Sequence, residues 1–291
     1  MLYTLENQNF ICLIESVGAE VRSLKKKETK EEYIWQINNT IWGSSAPVLF
    51  PSIGNIKSNK ITYRVEEFAM PKHGIVRNNK HLSIHQISAS KCAFTLMSSQ
   101  LTKEQYPFDF SFTIIYELSS KGLQMTYEIV NKDEVPMFFS CGGHTAYACP
   151  LDKNTKLSDY IIEFPNTISL HSLTLGGSGL LTNQLRAFEL QQNQLELSDT
   201  IFNEDALVFA NINFKWVRLR KKNQAKGIKV VFKDYPHLAL WSKPGADYVC
   251  IEPWLGLPDM EDESIDLLEK STYKTIHPNE QFSIVIATEI E

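Results

Sequence analysis

The 291-residue chain contains no run approaching the roughly 20 consecutive apolar residues of a membrane span. Its net charge of −5 is spread without a long basic block, which removes nucleic acid and anionic membrane from the expected partners. Five cysteines, at positions 12, 92, 141, 149 and 250, are odd in number, scattered and never spaced Cys-x-x-Cys. They read as reduced, mostly buried thiols, and a disulfide frame or zinc site is not expected. A Walker loop and a dinucleotide fingerprint are both missing. The opening Met1-Leu2-Tyr3-Thr4-Leu5-Glu6-Asn7 is neither a signal nor a transit peptide, so a cytoplasmic protein is expected. With no Pro, Gly or Ser-rich linker and no internal repeat, residues 1–291 are expected to form one domain.

Helical patterns are scarce as well. Glu261 to Lys270, acidic early and basic late, is the one stretch that suits a short helix. What the chain has in quantity is strand character, within an ordinary globular composition of 43% hydrophobic and 22% charged residues. Short apolar or alternating runs recur at Phe10–Ile14, Ile61–Val65, Ala93–Met97, Phe110–Tyr116, Leu123–Val130, Ile228–Phe232, Leu238–Trp241, Tyr248–Ile251 and Phe282–Ala287. Many strands without crossover helices imply an all-β fold, a large antiparallel β-sandwich. The polar stretch Asn183–Asn203 reads as surface loop plus an irregular strand. Lys215–Lys229 reads as a solvated basic hairpin turning at Lys221–Ala225.

Chemistry concentrates where strands meet turns. Tyr248-Val249-Cys250-Ile251 runs into Glu252-Pro253-Trp254, and the strand is expected to stop at Pro253, which has no N–H for a ladder. A carboxylate between a buried strand and a Pro-Trp corner is partly desolvated, which raises its pKa towards that of a general base. Taken alone, the same stretch reads equally well as a rim carboxylate beside a tryptophan. Three further blocks carry polar groups: Pro71-Lys72-His73-Gly74-Ile75-Val76-Arg77, Cys141-Gly142-Gly143-His144, and Asn203-Glu204-Asp205-Ala206-Leu207-Val208-Phe209. The paired glycines before His144 would let backbone approach a ligand closely. Each block has a plain structural explanation, since His73 can cap a turn and Asp205 a strand end. His81 and His85 would pair on a helix, but Leu82-Ser83-Ile84 between them reads as strand, which argues against a metal there. Cys141 has no nucleophile signature around it and reads as packing.

In this order, the four blocks resemble the aldose 1-epimerase (galactose mutarotase) family. The closer likeness is to its LacX-like branch, whose Ala-Pro-x-Leu-Phe-Pro segment is similar to Ala46-Pro47-Val48-Leu49-Phe50-Pro51. The resemblance implies a large antiparallel β-sandwich and interconversion of the α and β anomers of a free aldohexose or related sugar, with no metal and no other cofactor. It assigns Glu252 as base and His144 as acid, and His73, Arg77 and Asp205 as groups that bind sugar hydroxyls. Trp254 and Tyr147 are candidates to cover an apolar sugar face, although burial in the core is the commoner fate of such rings. The expected partner is a small sugar, and the protein a monomer or homodimer. Asn55 stands where relatives usually carry a sugar-holding arginine, Gly43-Ser44-Ser45 lacks a basic residue often found there, and Thr145 replaces a usual proline. Two rival readings follow: a non-catalytic carbohydrate-binding or sensing protein on the same fold, and a hexose-6-phosphate mutarotase, which would want several arginines converging on a phosphate.

Overall fold

The computed structural model describes residues 1–152, 154–166 and 169–291. Its framework follows from two-residue periodicity. In Phe110–Leu118, residues Phe110, Phe112, Ile114, Tyr116 and Leu118 are buried while the intervening ones are partly exposed. Gly122–Asn131 returns antiparallel to that strand, with Leu123 opposite Leu118 and Asn131 opposite Phe110. This pair lies inside a nine-stranded antiparallel sheet. Its order is Gln194–Glu196, Tyr160–Glu163, Trp216–Lys221, Ile228–Val231, Gln281–Ile290, Gly122–Asn131, Phe110–Leu118, Lys91–Met97 and Ser83–Ser88.

A second sheet has the order Leu181–Phe188, Leu170–Leu175, Leu207–Phe209, His237–Trp241, Tyr248–Trp254, Gly142–Gly143 and Val48–Leu49, with Thr145–Ala148 also paired to Tyr248–Trp254. The two sheets face each other. Phe50 stacks on Phe112 with ring centroids 4.4 Å apart, and the Tyr147 hydroxyl meets Thr288 Oγ1 at 2.6 Å across the layer. A three-stranded sheet of Leu2–Glu6, Phe10–Glu15 and Val21–Lys26 packs alongside, tied in where the Tyr116 hydroxyl donates to the Ala19 carbonyl at 2.6 Å. The architecture is the expected all-β antiparallel sandwich. All five cysteines are buried and free. Among the described residues, no helix is long and apolar enough to cross a membrane.

Several local expectations are corrected. Glu261–Lys270 is not a helix; only Leu267–Glu269 forms a 3₁₀ turn. Its polar groups are committed elsewhere. Glu263 Oε2 accepts from the Met260 N–H, Asp266 Oδ1 from the Leu268 N–H, and Lys270 turns inward to Asp259. Among the described residues, the one α-helical turn is Gln100–Lys103, nucleated by the Ser99 and Thr102 capping box. Ile61–Val65 ends early as a strand, because Arg64 and Val65 take φ of 49° and 65° and form the hairpin turn into Glu66–Ala69. Much of Asn183–Asn203 is regular: Leu181–Phe188 is an edge strand of one sheet and Gln194–Glu196 an edge strand of the other. The basic hairpin is present, with Trp216–Lys221 paired to Ile228–Val231.

Candidate active site

Tyr248–Trp254 is buried at all seven positions because it has neighbours on both sides. It does not stop at Pro253. On one side Glu252 lies opposite Ala239 and Pro253 opposite Leu238. On the other, Thr145 pairs with Ile251 and Gly142 with Trp254, a register that sets His144 against Glu252 and Gly143 against Pro253. The ladder lapses between those bridges, where Pro253 has no N–H to give. Facing residues on adjacent strands share one side of the sheet, and His144 Nε2 lies 3.3 Å from Glu252 Oε2. The glycines ahead of His144 serve packing rather than a ligand. A Cβ at Gly142 would come 2.7 Å from the Pro253 carbonyl oxygen, and one at Gly143 would come 2.9 Å from Ile286 Cδ1 of the opposite sheet.

Tyr147 points inward to Thr288, so it covers no ligand. His144 and Glu252 point to the outer face of their sheet, beside the aromatic cluster of Trp35 and Tyr248 with Trp42 and Trp241. The His144 ring stacks on Trp42 at 5.2 Å and meets Trp241 edge-on at 5.7 Å and His73 at 5.3 Å. Packing on three sides fixes this imidazole.

The Pro71–Gly74 turn closes with a Gly74 N–H to Pro71 carbonyl bond of 2.9 Å and holds His73 at φ 68°. His73 is laced to Gly54 twice. Its N–H donates to the Gly54 carbonyl at 2.9 Å, and its Nδ1 accepts from the Gly54 N–H at 3.1 Å. An accepting Nδ1 places the ring proton on Nε2. Asp205 has φ 75°, with its Oδ1 bonded to the Ala206 N–H at 2.8 Å. Two of the five expected site residues thus hold left-handed backbone, a conformation that costs about 1–3 kcal/mol outside glycine.

All five expected residues, Glu252, His144, His73, Arg77 and Asp205, line one cavity of about 230 Å³. Trp254 and Asn55 line it too, joined by Lys72, Trp42 and Trp241, which the sequence reading did not single out. Lys72 is the immediate neighbour of His73 in the turn, and that adjacency was the only available signal for it. The Asn55 Nδ2 donates to the Gly179 carbonyl at 2.9 Å, so its amide clasps the Gly176–Gly179 turn. Lys57 does not fill the place of the expected arginine. Its Nζ donates to the Glu263 carbonyl at 3.1 Å, and its N–H to Asp259 Oδ2 at 2.9 Å.

Burial sets the electrostatics. It drives the Glu252 carboxyl well above its ordinary range; Lys72 offsets part of the rise and Asp205 adds to it. The same desolvation, helped by Arg77 and Lys72, takes His144 down to about 3. His73 is lowered by burial and then by His144, Lys72 and Arg77. Both shifts, at Glu252 and at His144, favour the neutral form of each group. Among the described residues, His144 Nδ1, Glu252 Oε2 and Trp254 Nε1 are buried without a hydrogen-bond partner. Such groups are costly unless water or a ligand satisfies them. His144, Cys250 and Glu252 bring nitrogen, sulfur and oxygen donors within 4.8 Å of one another. Burial pushes both the Cys250 thiol and the Glu252 carboxyl well up, so a metal there would have to displace their protons.

Known proteins resemble the chain over nearly its whole length. The chain is 28% identical over 287 residues to the plasmid form of protein LacX from Lactococcus lactis subsp. lactis, covering 96% of this chain and 95% of LacX. A galactose mutarotase related enzyme from Lactobacillus acidophilus superposes with a TM-score of 0.93 at 31% identity, covering 100% of this chain and 97% of that one. A galactose mutarotase-like protein from Lactobacillus casei superposes with a TM-score of 0.92 at 26% identity, each chain being covered completely. The model of the family described as aldose 1-epimerase matches residues 1–272, and with the sandwich and the ordered blocks this places the chain in the aldose 1-epimerase family.

Proposed function

We propose that the protein is a mutarotase that interconverts the α and β anomers of an aldose by acid–base ring opening. The observation that carries this reading is the buried His144–Glu252 contact of 3.3 Å inside a cavity with unpartnered polar atoms. Ring opening needs a base for the C1 hydroxyl proton and an acid for the ring oxygen. After rotation about C1–C2, closure reverses the two roles. A coupled pair with one exchangeable proton offers one acid and one base in either of its microstates. In the opening step Glu252 takes the hydroxyl proton and His144 delivers one to the ring oxygen. For that, the proton resting on Glu252 in the empty cavity moves to His144 as substrate hydroxyls pair with the ionised groups. His73 Nε2–H, Arg77 and Asp205 bind hydroxyls, and Trp254 and Trp42 offer apolar surface. A protein that only bound or sensed sugar would need no second titrating partner for Glu252, which favours the enzyme over the binding module.

The test is two-dimensional NMR exchange spectroscopy on free and anionic aldoses, with and without protein. Exchange between anomers should accelerate in proportion to protein concentration for at least one sugar class. Uncatalysed rates for every sugar, alongside measurable binding, would replace the enzyme with a carbohydrate-binding protein.

A further inference from the structure

Among the described residues, one group of three side chains gathers nitrogen, sulfur and oxygen donors: His144, Cys250 and Glu252, all buried, with ligand atoms within 4.8 Å of one another. The proposed exchange uses two of them and leaves Cys250 without a task. Strand geometry explains the grouping. Cys250 and Glu252 are two apart on Tyr248–Trp254 and therefore share a face of the sheet. Thr145 pairs with Ile251 and Ala146 with Cys250, which sets His144 against Glu252 on that same face. The Cys250 thiol is free and lies in an apolar cluster with Trp35, Ala146 and Tyr248, against which Trp42 and Trp241 pack.

The spacing suits a small divalent ion. Zinc holds nitrogen and oxygen at about 2.0–2.2 Å in a tetrahedron, which sets those two donors about 3.3–3.5 Å apart. His144 Nε2 and Glu252 Oε2 already stand at 3.3 Å. A zinc–sulfur bond of about 2.3 Å asks for a sulfur about 3.6 Å from each of them, so Cys250 Sγ has at most about 1.2 Å to close. Glu252 is 1% exposed and its Oε2 is buried without a hydrogen-bond partner, an acceptor that an ion would satisfy. Charge balances too. Burial keeps the Cys250 thiol and the Glu252 carboxyl protonated, and one divalent ion replacing those two protons leaves the buried group neutral. Sulfur and imidazole select zinc, cadmium or cobalt over magnesium and calcium, which prefer shells of oxygen. His144 Nδ1 has no partner to orient a metal-bound ring, an omission that weakens metal sites by about 10–100-fold and suits reversible binding.

We propose that Cys250 Sγ, His144 Nε2 and Glu252 Oε2 form a reversible site for a thiophilic divalent metal ion, zinc foremost, whose binding excludes sugar and stops anomer exchange. The ion is an inhibitor and no cofactor, because it occupies both groups that the exchange requires. On binding, the thiol and carboxyl protons leave to solvent and water completes the coordination from the cavity, which His144 and Glu252 line. Only the inhibition rests on the mutarotase reading; the binding stands apart from it.

The experiment titrates the full chain with Cd²⁺, following the ultraviolet thiolate-to-metal charge-transfer band, and with Zn²⁺, following anomer exchange by NMR. The parent should bind a single Cd²⁺ with that band. Cys250→Ala should lose the band, weaken Cd²⁺ binding by more than the about 10–100-fold that an outer-shell change costs, and keep parental exchange. Glu252→Gln should weaken Cd²⁺ binding as well. Zn²⁺ should stop exchange in the parent but not, at the same concentration, in Cys250→Ala; excess sugar should relieve it, and Mg²⁺ should have no effect. A parent without the thiolate band, or Zn²⁺ inhibition undiminished in Cys250→Ala, overturns the proposal. Full exchange with Cd²⁺ bound overturns the inhibition. If the protein exchanges no sugar at all, the mutarotase reading fails while the Cd²⁺ band still decides the metal site.

Discussion

Single residues of the proposed site divide the labour between proton transfer and binding. His144→Asn keeps a polar side chain between Trp42 and Trp241 but cannot deliver a proton at neutral pH. General acid–base catalysis contributes about 10²–10⁴-fold, so kcat should fall on that order while the fold survives. His73→Ala and Asp205→Ala remove groups assigned to hydroxyls and should act mainly through KM, by about tenfold or more. A collapse of kcat at constant KM in either would move that residue into the chemistry. Asn55 has acquired a use of its own: its amide bonds the Gly179 carbonyl, and a Cβ on Gly179, where φ is 73°, would come 2.3 Å from Asn55 Nδ2. Gly179→Ala should therefore raise KM and lower stability together. Titration of binding and a urea melt on the same sample would check it. Local pattern made the carboxylate and the histidines visible, and only the family resemblance paired Glu252 with His144. Residues 144 and 252 touch only through a strand register that no local spacing encodes. Lys72 was passed over because a lysine in a turn reads as a solvated charge, and it is exposed even though it lines the cavity.

At the scale of elements, the inward-facing strands were legible because alternation over Phe110–Leu118 has a period only a half-buried strand satisfies. The segment after Trp254 was not, since its charges look helical until their partners are known. Lys270 Nζ meets Asp259 Oδ1 at 2.5 Å with both side chains fully buried, and Asp259 in turn accepts the Lys57 N–H at 2.9 Å. This pair pins the loop around Pro258 to the Asn55 loop, so two walls of the cavity share one anchor. Lys270→Met leaves a buried carboxylate unpaired and should cost about 3–5 kcal/mol in urea unfolding. The double variant Lys270→Met/Asp259→Leu should recover much of that loss, as apolar replacement of a buried pair commonly does. A single variant as stable as the parent would show that the pair does not hold these loops.

At the scale of the whole molecule, three buried histidines make stability depend on pH. His237 is lowered to about 4 and His144 to about 3, both by burial, and His73 lies well below its ordinary value of 6.5. Below about pH 6.5 the unfolded chain takes up protons that the folded chain refuses, so stability is full above that pH and falls as acid is added. Glu252 has the opposite sign. Its raised folded pKa means that ionisation above about 4.5 favours the unfolded chain, so it opposes the histidines over part of the range. His237, whose Nδ1 accepts the Asn211 N–H at 3.1 Å outside the proposed acid–base pair, isolates one contribution. His237→Gln should flatten the acid limb between pH 6 and pH 4.5 by about 1 kcal/mol per pH unit. An unchanged slope would mean that this imidazole is protonated in the folded protein.

The most direct test of the proposed acid–base pair is anomer exchange at saturating aldose, compared between the parent protein and Glu252→Gln. Glutamine preserves the shape opposite Ala239 and His144 but accepts no proton, leaving a partner that cannot share one. Glu252→Gln should remain folded, still bind sugar, and exchange anomers about 10²–10⁴ times more slowly. Exchange within a few-fold of the parent rate would contradict it.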